Sequence, residues 1–272
     1  MSDDSSRGAT QSDGNTRRRF LTALGAVTTT GLAGCVSGGE PTRSANRVSG
    51  RLSRRYAVDV DEGTTAFEID VSKAEYAAAR DRSRSFAKAA EAARDSDAIE
   101  RLGHQIAREY ASDLDRLLAA QAVVTDIEYA SDAETTGKRE YIRYPAETIA
   151  EDTGDCEDLA FVLGGLLSSD ALDFRTGFVI PEGHCAVLVD RADVPESALA
   201  SDPLFVTVEG REYVYLEAVE GRTPGAWARN YGERPLLAAY RDGWYPLDAG
   251  AIVDYSVETV SSSGSGATAQ FF

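Results

Sequence analysis

The segment that begins at Gly154 constrains the fold of this chain more than any other. Gly154 and Asp155 are typical of a turn followed by a helix cap, and they precede a long apolar run. Within that run, one helix face is formed by Leu159, Val162, Leu163 and Leu166. The sequence therefore predicts a helix from Cys156 to about Leu167, with Cys156 in its first turn.

The regions on either side of this helix differ in composition. After it, alternating or apolar segments predict strands over residues 175–180, 186–189, 204–208 and 213–219. Before it, residues 56–70 alternate as in a hairpin. Residues 72–124 contain many alanines and no proline, which predicts two or three helices broken near Asp95-Ser96, and residues 132–145 predict a turn-rich connection. Helices followed by one helix against an antiparallel sheet indicate an α+β fold.

The N-terminal residues resemble an export signal. Arg17 to Arg19 precede Phe20 in a pattern similar to the twin-arginine signal, and the apolar run that follows is too short to span a bilayer. That run ends in Leu-Ala-Gly-Cys, which resembles a lipobox. The pattern predicts a signal peptide over residues 1–34, a lipid on Cys35 and a chain held at the outer face of the cell membrane. A soluble exported protein with Cys35 unmodified or discarded is the alternative.

Composition also sets the domain boundaries. Residues 35–54, rich in Gly, Ser and Arg, predict a flexible tether, and the Ser/Gly-rich residues 261–272 predict a disordered tail. Between them we expect an N-terminal hairpin and helical lobe over residues 55–124. A catalytic core is expected over residues 125–260.

The charge balance narrows the classes of partner. The chain carries 28 basic and 45 acidic residues, a formal net charge of −17. This excess of acid argues against nucleic acid as a partner, because phosphate backbones attract basic surfaces. Lysine is rare among the basic residues, a composition typical of a halophilic protein that works in concentrated salt.

Cys156 is the candidate nucleophile. In the first turn of a helix, free backbone amides and the helix dipole favour a thiolate, so we expect a lowered thiol pKa. The same amides could bind the oxyanion of a tetrahedral intermediate. A base is still needed, and the chain has 2 histidines. His104 belongs to a helix surface, whereas His184 follows a glycine turn at the start of a strand and is the better partner.

A third group should hold the imidazole of His184. If the strand after His184 pairs antiparallel with residues 213–219, Glu217 falls opposite His184, and Tyr215 shares its face of the strand. Glu217 would then fix the tautomer and stabilise the imidazolium, as the acid of a catalytic triad does. Asp190, at the far end of the strand that follows His184, is the rival for this role.

Neighbouring polar residues have simpler interpretations. Cys185 should point away from His184 and pack in the core, with a disulfide or redox role as the alternative. Gln121 is either an exposed helical residue or an oxyanion donor, and Glu157 and Asp158 complement the helix dipole. No cofactor and no metal site are predicted, because Cys156, His184 and Cys185 lack the spacing of zinc ligands.

Four short motifs together resemble the transglutaminase-like superfamily of papain-fold cysteine enzymes. They are Tyr144–Thr148, Gly154–Asp158, Gly183-His184 and Tyr215–Ala218. The resemblance implies a catalytic helix packed on an antiparallel sheet and acyl transfer through a thioester. It also implies that Cys156 is the nucleophile, His184 the general base and then acid, and Glu217 the orienting acid.

Two departures accompany this resemblance. The third residue is Glu rather than the commoner Asp, and its distance from His184 along the chain is longer than usual. The surplus, residues 191–201, predicts a surface insertion. The expected activity is that of a membrane-anchored peptidase, amidase or protein-glutamine acyltransferase whose substrate is a protein or peptide at the cell surface. A catalytically inactive binding or scaffold module is the competing hypothesis.

Overall fold

The computed structural model describes residues 50–60, 63–180, 183–208 and 210–226, together with the backbone of residues 236–239. The predicted signal peptide, Cys35 and the C-terminal tail lie outside the described residues. The first strand begins at Arg51, so residues 51–54 belong to the hairpin rather than to the predicted tether. Within the described part of the chain, no helix is both long enough and apolar enough to cross a membrane.

The elements follow one another as a hairpin, a series of helices and then a sheet. The strands are β1 (Arg51–Val60), β2 (Gly63–Ser72), β3 (Glu128–Tyr129), β4 (Thr153–Gly154), β5 (Thr176–Ile180), β6 (Ala186–Asp190), β7 (Phe205–Val208), β8 (Arg211–Leu216) and β9 (Leu236–Ala239). The α-helices are α1 (Lys73–Arg80), α2 (Phe86–Arg94), α3 (Asp97–Glu109), α4 (Asp113–Thr125), α5 (Asp132–Thr135), α6 (Pro145–Glu151) and α7 (Cys156–Leu167). This mixture confirms the α+β class.

The helical lobe contains four helices where two or three were predicted. The break at Asp95-Ser96 is confirmed, because the Ser96 side chain accepts a hydrogen bond from the Ile99 amide and starts α3. Ser112 caps α4 through the Asp115 amide in the same way. This second cap was not predicted, and neither was the break between α1 and α2, where Ser85 immediately precedes α2.

The turn-rich interpretation of residues 132–145 needs a correction at both ends. A single helical turn, α5, begins at Asp132, and Pro145 is the first residue of α6 rather than the end of a loop. Proline suits this first helical position because its missing N–H would have had no helical partner there. The predicted insertion at residues 191–201 forms two 3₁₀ turns, and its Val194 is buried in the core.

Helix α7 occupies the centre of the main core. Its glycines permit close approach: a Cβ at Gly165 would lie 2.7 Å from the Ala93 Cβ of α2. Phe161 of α7 packs edge-on against Phe86 and Phe178, with ring centroids 4.7 and 5.8 Å apart. These contacts fix α7 between the helical lobe and the sheet, and therefore fix the position of its first residue, Cys156.

The C-terminal sheet has five antiparallel strands in the order β7-β8-β6-β5-β9. The side chains of β6 alternate between two apolar clusters. Val187 and Val189 belong to the cluster that contains α7, whereas Ala186 and Leu188 belong to the other cluster with Tyr215. The predicted pairing of the strand after His184 with β8 is confirmed, although β8 ends at Leu216 rather than at residue 219.

Candidate active site

A buried arginine holds the start of α7. Arg143 Nη1 lies 3.0 Å from Asp158 Oδ2 and 2.8 Å from Asp132 Oδ1, and the Arg143 backbone N–H donates to Asp158 Oδ1 at 2.8 Å. Arg143 and Asp158 are both fully buried. Asp158 therefore does more than complement the helix dipole, because it ties the first turn of α7 to the segment before α6.

The thiol of Cys156 is engaged by its neighbour. Its Sγ donates a hydrogen bond to Glu157 Oε2 at 3.1 Å, and the side chain is partly buried. Burial, followed by the charge of Glu157, raises the pKa of the Cys156 thiol well above its ordinary value. The expected lowering of this pKa is therefore wrong for this structure, since burial and adjacent carboxylates outweigh the helix amides.

The imidazole of His184 and the carboxylate of Glu217 form a buried pair. His184 Nε2 lies 3.1 Å from each carboxylate oxygen of Glu217. If Nε2 carries the proton and donates it to the carboxylate, the lone pair of the neutral ring is on Nδ1, the atom that would take a proton from a nucleophile. Asp190, the predicted rival, instead binds Arg211 and caps the turn that follows it by accepting from the Ala192 amide.

The route by which Glu217 reaches His184 differs from the one predicted. The last pair in the β6–β8 ladder is Val187 with Leu216, so the same register extended by one residue places Glu217 beside Ala186. His184 precedes β6 by two residues and follows Gly183, whose φ of 66° turns the chain. The two side chains therefore meet diagonally rather than as a directly opposed pair.

Glu217 is surrounded by hydrogen-bond donors. Its carboxylate accepts from the Tyr215 hydroxyl at 2.6 Å and from the backbone amides of Ala218 and Val219 at 2.9 and 3.1 Å. Burial acts to raise the pKa of Glu217, but the hydrogen bonds from His184 and Tyr215 bring it below its ordinary value. The carboxylate therefore stays ionised although it is buried.

Gln121 holds the backbone that carries Glu217. It is buried rather than exposed, and its side-chain amide donates to the carbonyl oxygens of Glu217 and Arg222 at 2.9 and 3.1 Å. Both amide hydrogens are used in these bonds, so neither predicted role applies in this structure. The spacing within α4 could have indicated burial, but the sequence gives no signal for the partners, which are backbone atoms about a hundred residues away.

Cys185 follows His184 directly in the chain and immediately precedes β6. Its thiol is buried, as predicted, and the cysteine is free. Burial raises the pKa of the Cys185 thiol, and the charges of Glu157, Asp155 and Glu217 add to that rise. The carboxylates at the start of α7 and the carboxylate that binds His184 thus both act on the Cys185 thiol.

Three carboxylates at the start of α7 could hold a metal ion. Oxygen atoms of Asp132, Asp155 and Glu157 all lie within 4.8 Å of one another. Burial and mutual repulsion raise the pKa of Asp155 to about 6 and that of Glu157 well above its ordinary value. Oxygen ligands of this kind suit a hard cation such as Ca²⁺ or Mg²⁺. Sequence spacing does not predict this group, because Asp132 lies on a separate element from the other two.

Comparisons with known proteins gave structural matches alone. No protein-family model and no curated protein matches the sequence. Calcium-bound LapG of Legionella pneumophila matches with a TM-score of 0.34 at 16% identity, covering 65% of this chain and 99% of that chain. EGTA-treated LapG matches with a TM-score of 0.30 at 17% identity, covering 52% and 74%. Similarity at this level leaves the chemistry to be argued from the residues of this chain.

Proposed function

We propose that this protein is a transglutaminase-like cysteine enzyme that acts on amide bonds through a thioester. Cys156 is the nucleophile, His184 the general base and then acid, and Glu217 the acid that orients the imidazole. The observation that carries the proposal is the buried His184–Glu217 pair, with Nε2 at 3.1 Å from both carboxylate oxygens. A buried imidazole held by an ionised carboxylate is what a positioned general base requires.

The proposed reaction begins at the sulfur. The Cys156 thiol turns from Glu157 to the imidazole, and its proton passes to His184 Nδ1 as the sulfur attacks the amide carbonyl carbon. The tetrahedral oxyanion is met by the amides of the first turn of α7, which has no helical partners for its N–H groups. The C–N bond then breaks, His184 returns the proton to the leaving amine, and a thioester remains on Cys156.

Resolution of the thioester decides the class of product. Water, deprotonated by His184, gives hydrolysis of a peptide or amide, whereas an amine gives transglutamination. Hydrolysis needs only a path for water, so we propose a peptidase or amidase first and a protein-glutamine acyltransferase second. The substrate in both cases is a protein or peptide at the cell surface.

The experiment that tests the nucleophile is alkylation followed by an activity assay. Purified protein treated with iodoacetamide should lose its activity in step with carboxamidomethylation of Cys156, located by peptide mass spectrometry. A panel of amide and amine donors should give turnover with the wild type and none with Cys156→Ala. Cys185→Ala is the matched control and should keep activity.

A scaffold function is the second candidate, and one observation favours it. The Cys156 thiol donates to Glu157 and has a raised pKa, which is the state of an unreactive thiol. A scaffold should show slow alkylation of Cys156 across the neutral range and equal binding of a partner by the wild type and Cys156→Ala. Turnover that depends on Cys156 would exclude it.

The proposed location is the outer face of the cell membrane, with Cys35 lipidated after export by the twin-arginine route. The support for this is the order of the arginine motif, the apolar run and the Leu-Ala-Gly-Cys motif in the sequence. Mass spectrometry of the N-terminal peptide from native membranes should show a lipid on Cys35. Cys35→Ser should release the protein from the membrane fraction, and a mature N-terminus beyond Cys35 would contradict the proposal.

A further inference from the structure

Tyr215 is a buried aromatic residue whose hydroxyl contacts both members of the His184–Glu217 pair. Its oxygen donates a hydrogen bond of 2.6 Å to Glu217 Oε2 and lies 3.4 Å from His184 Nε2. The side chain is completely buried, and in the sheet Tyr215 pairs with Leu188 of β6. A buried hydroxyl requires a hydrogen-bond partner, and this one has the carboxylate that orients the imidazole.

The two oxygens of Glu217 are held by different kinds of donor. Oε1 accepts from the backbone amides of Ala218 and Val219, which follow Glu217 directly in the chain. Oε2 accepts from the Tyr215 hydroxyl, and both oxygens face His184. One edge of the carboxylate is thus fixed by local backbone, whereas the other depends on the side chain of Tyr215 in addition to the imidazole.

Alternation along β8 explains how these side chains meet. Tyr215 and Glu217 are two residues apart, so they lie on the same face, away from Val214 and Leu216, which face the α7 cluster. Tyr213 belongs to that same face but is separated from Glu217 by one further pair of residues. The hydroxyl of Tyr215, and not that of Tyr213, is therefore the one bonded to the carboxylate.

We propose that Tyr215 is a positioning residue whose hydroxyl fixes Glu217 Oε2, so that the carboxylate stays ionised and directed at His184 Nε2. Tyr215 acts through Glu217, with which its hydroxyl is in direct contact. Its effect on the His184–Glu217 pair stands on geometry alone, whereas its effect on turnover rests on the proposed function. Among the residues that the structure describes, the titratable groups in contact with the Glu217 carboxylate are His184 and Tyr215, and the charge of Glu217 also acts on the Cys185 thiol.

The test removes the hydroxyl and keeps the ring. Tyr215→Phe is compared with Tyr213→Phe, a matched control that is buried on the same face of β8. Because the chain has only 2 histidines, the side-chain ¹⁵N resonances of His184 can be assigned with a His104→Gln variant and used to follow the protonation of the Glu217 carboxylate as the pH is lowered. Loss of a donor to Oε2 makes the carboxylate easier to protonate, so the transition in Tyr215→Phe should move upward by about half a pH unit or more.

The kinetic expectation is a separation of kcat from KM. Tyr215→Phe should lower kcat by about ten-fold, within the range that one charge-assisted hydrogen bond supplies, and leave KM near its wild-type value. Tyr213→Phe should change neither the transition nor kcat. An unshifted transition in Tyr215→Phe, or an equal shift in Tyr213→Phe, overturns the proposal.

A second measurement covers the case in which Tyr215→Phe does not fold. Biosynthetic replacement of tyrosine by fluorotyrosine makes each hydroxyl a stronger donor, so the acidic transition should move downward, and no movement overturns the proposal. The arms also separate this inference from the proposed function. A shifted transition in a protein with no amidase activity would support the positioning role of Tyr215 and contradict the proposed enzymatic activity.

Discussion

Two groups of carboxylates act on the Cys185 thiol, and their own pKa values are shifted in opposite directions although burial acts to raise both. Glu217 receives hydrogen bonds from His184, the Tyr215 hydroxyl and two backbone amides, and its pKa is lowered. Asp155 and Glu157 face each other and Asp132, and their pKa values are raised. The difference is the chemistry of the neighbours: donors in one group, other acids in the second.

This contrast divides the candidate site into a complete half and an incomplete half. The imidazole and its carboxylate are already arranged as a general base needs, with every oxygen of Glu217 hydrogen-bonded. The half that carries Cys156 contains negative charge that repels itself and acts on the thiol. The His184–Glu217 half should therefore be weakened by loss of a hydrogen-bond donor. The acidic half beside Cys156 should be stabilised by an added positive charge or by the loss of a negative one.

The largest expected effect is on turnover when the charge of Glu217 is removed. Glu217→Gln keeps the shape of the side chain but cannot stabilise the imidazolium, so kcat should fall by about ten-thousand-fold, the scale seen when triad acids are replaced. Asp190→Asn is the matched control, because Asp190 binds Arg211 instead. Equal losses in the two variants would contradict the assignment of Glu217.

The next largest effect is a loss of stability when Arg143, the cation beside the acidic residues, is removed. Arg143→Ala leaves Asp132 and Asp158 buried without their partner and should lower the free energy of unfolding by about 3 kcal/mol, measured by urea denaturation. Arg222→Ala breaks a surface pair with Glu220 and should cost less than about 0.5 kcal/mol. A small loss in Arg143→Ala would show that the buried carboxylates are neutralised in another way.

A smaller loss of stability is expected for Gln121, which holds backbone carbonyls rather than charged groups. Gln121→Ala removes two hydrogen bonds to the segment after β8, which should destabilise the protein by about 2 kcal/mol. It should also lower kcat several-fold, because the backbone carbonyl of Glu217 loses the hydrogen bond that holds it in place. Gln105→Ala, which removes an exposed bond to the Glu68 carbonyl, is the control. A stability loss with unchanged kcat would separate Gln121 from the site.

Addition of Ca²⁺ tests directly the repulsion among Asp132, Asp155 and Glu157. Millimolar Ca²⁺ should raise the thermal unfolding temperature by about 3 °C, and EGTA should reverse the rise, because three clustered carboxylates gain a counter-ion. Asp132→Asn should abolish the calcium effect, whereas Asp113→Asn, on the surface of α4, should keep it. An unfolding temperature that does not change when calcium is added would rule out a bound cation among these three acids.

The smallest effect is the pH dependence that Glu217 contributes to stability. Since folding lowers its pKa, Glu217 adds stability above the ordinary carboxyl pKa, and this stability is lost as pH falls through the lowered value. Urea denaturation of the wild type between about pH 5 and pH 3 should show a decline that is shallower by about 1 kcal/mol in Glu217→Gln. Parallel declines would indicate a carboxylate with an ordinary pKa.

Sequence patterns predicted those parts of the site that depend on local periodicity. The helix from Cys156 to Leu167 was recoverable from its apolar spacing and cap, and the face shared by Tyr215 and Glu217 followed from strand alternation. The exact register was not recoverable, because pairing depends on where each strand begins and ends. His184 lies before β6, and the ladder of β8 stops at Leu216, so the contact became diagonal.

Burial and long-range partners were beyond the reach of the sequence. The helical pattern predicts a Gln121 that is exposed or an oxyanion donor, yet it binds a carbonyl on a distant segment. The acidic group of Asp132, Asp155 and Glu157 forms only when α5 folds back against the start of α7, a placement that Arg143 holds. Burial, followed by the charge of the adjacent Glu157, raises the pKa of Cys156, and this outcome reversed the expectation drawn from the helix dipole.

The sequence by itself determined the α+β class, the position of Cys156 at a helix start and the candidates for base and acid, because period and cap chemistry are local properties of the chain. Only the tertiary structure decided that Glu217 rather than Asp190 binds His184, that Tyr215 completes this pair and that three carboxylates gather beside the thiol. These outcomes depend on which distant side chains burial brings within a few ångströms, where the removal of water makes each donor or charge count.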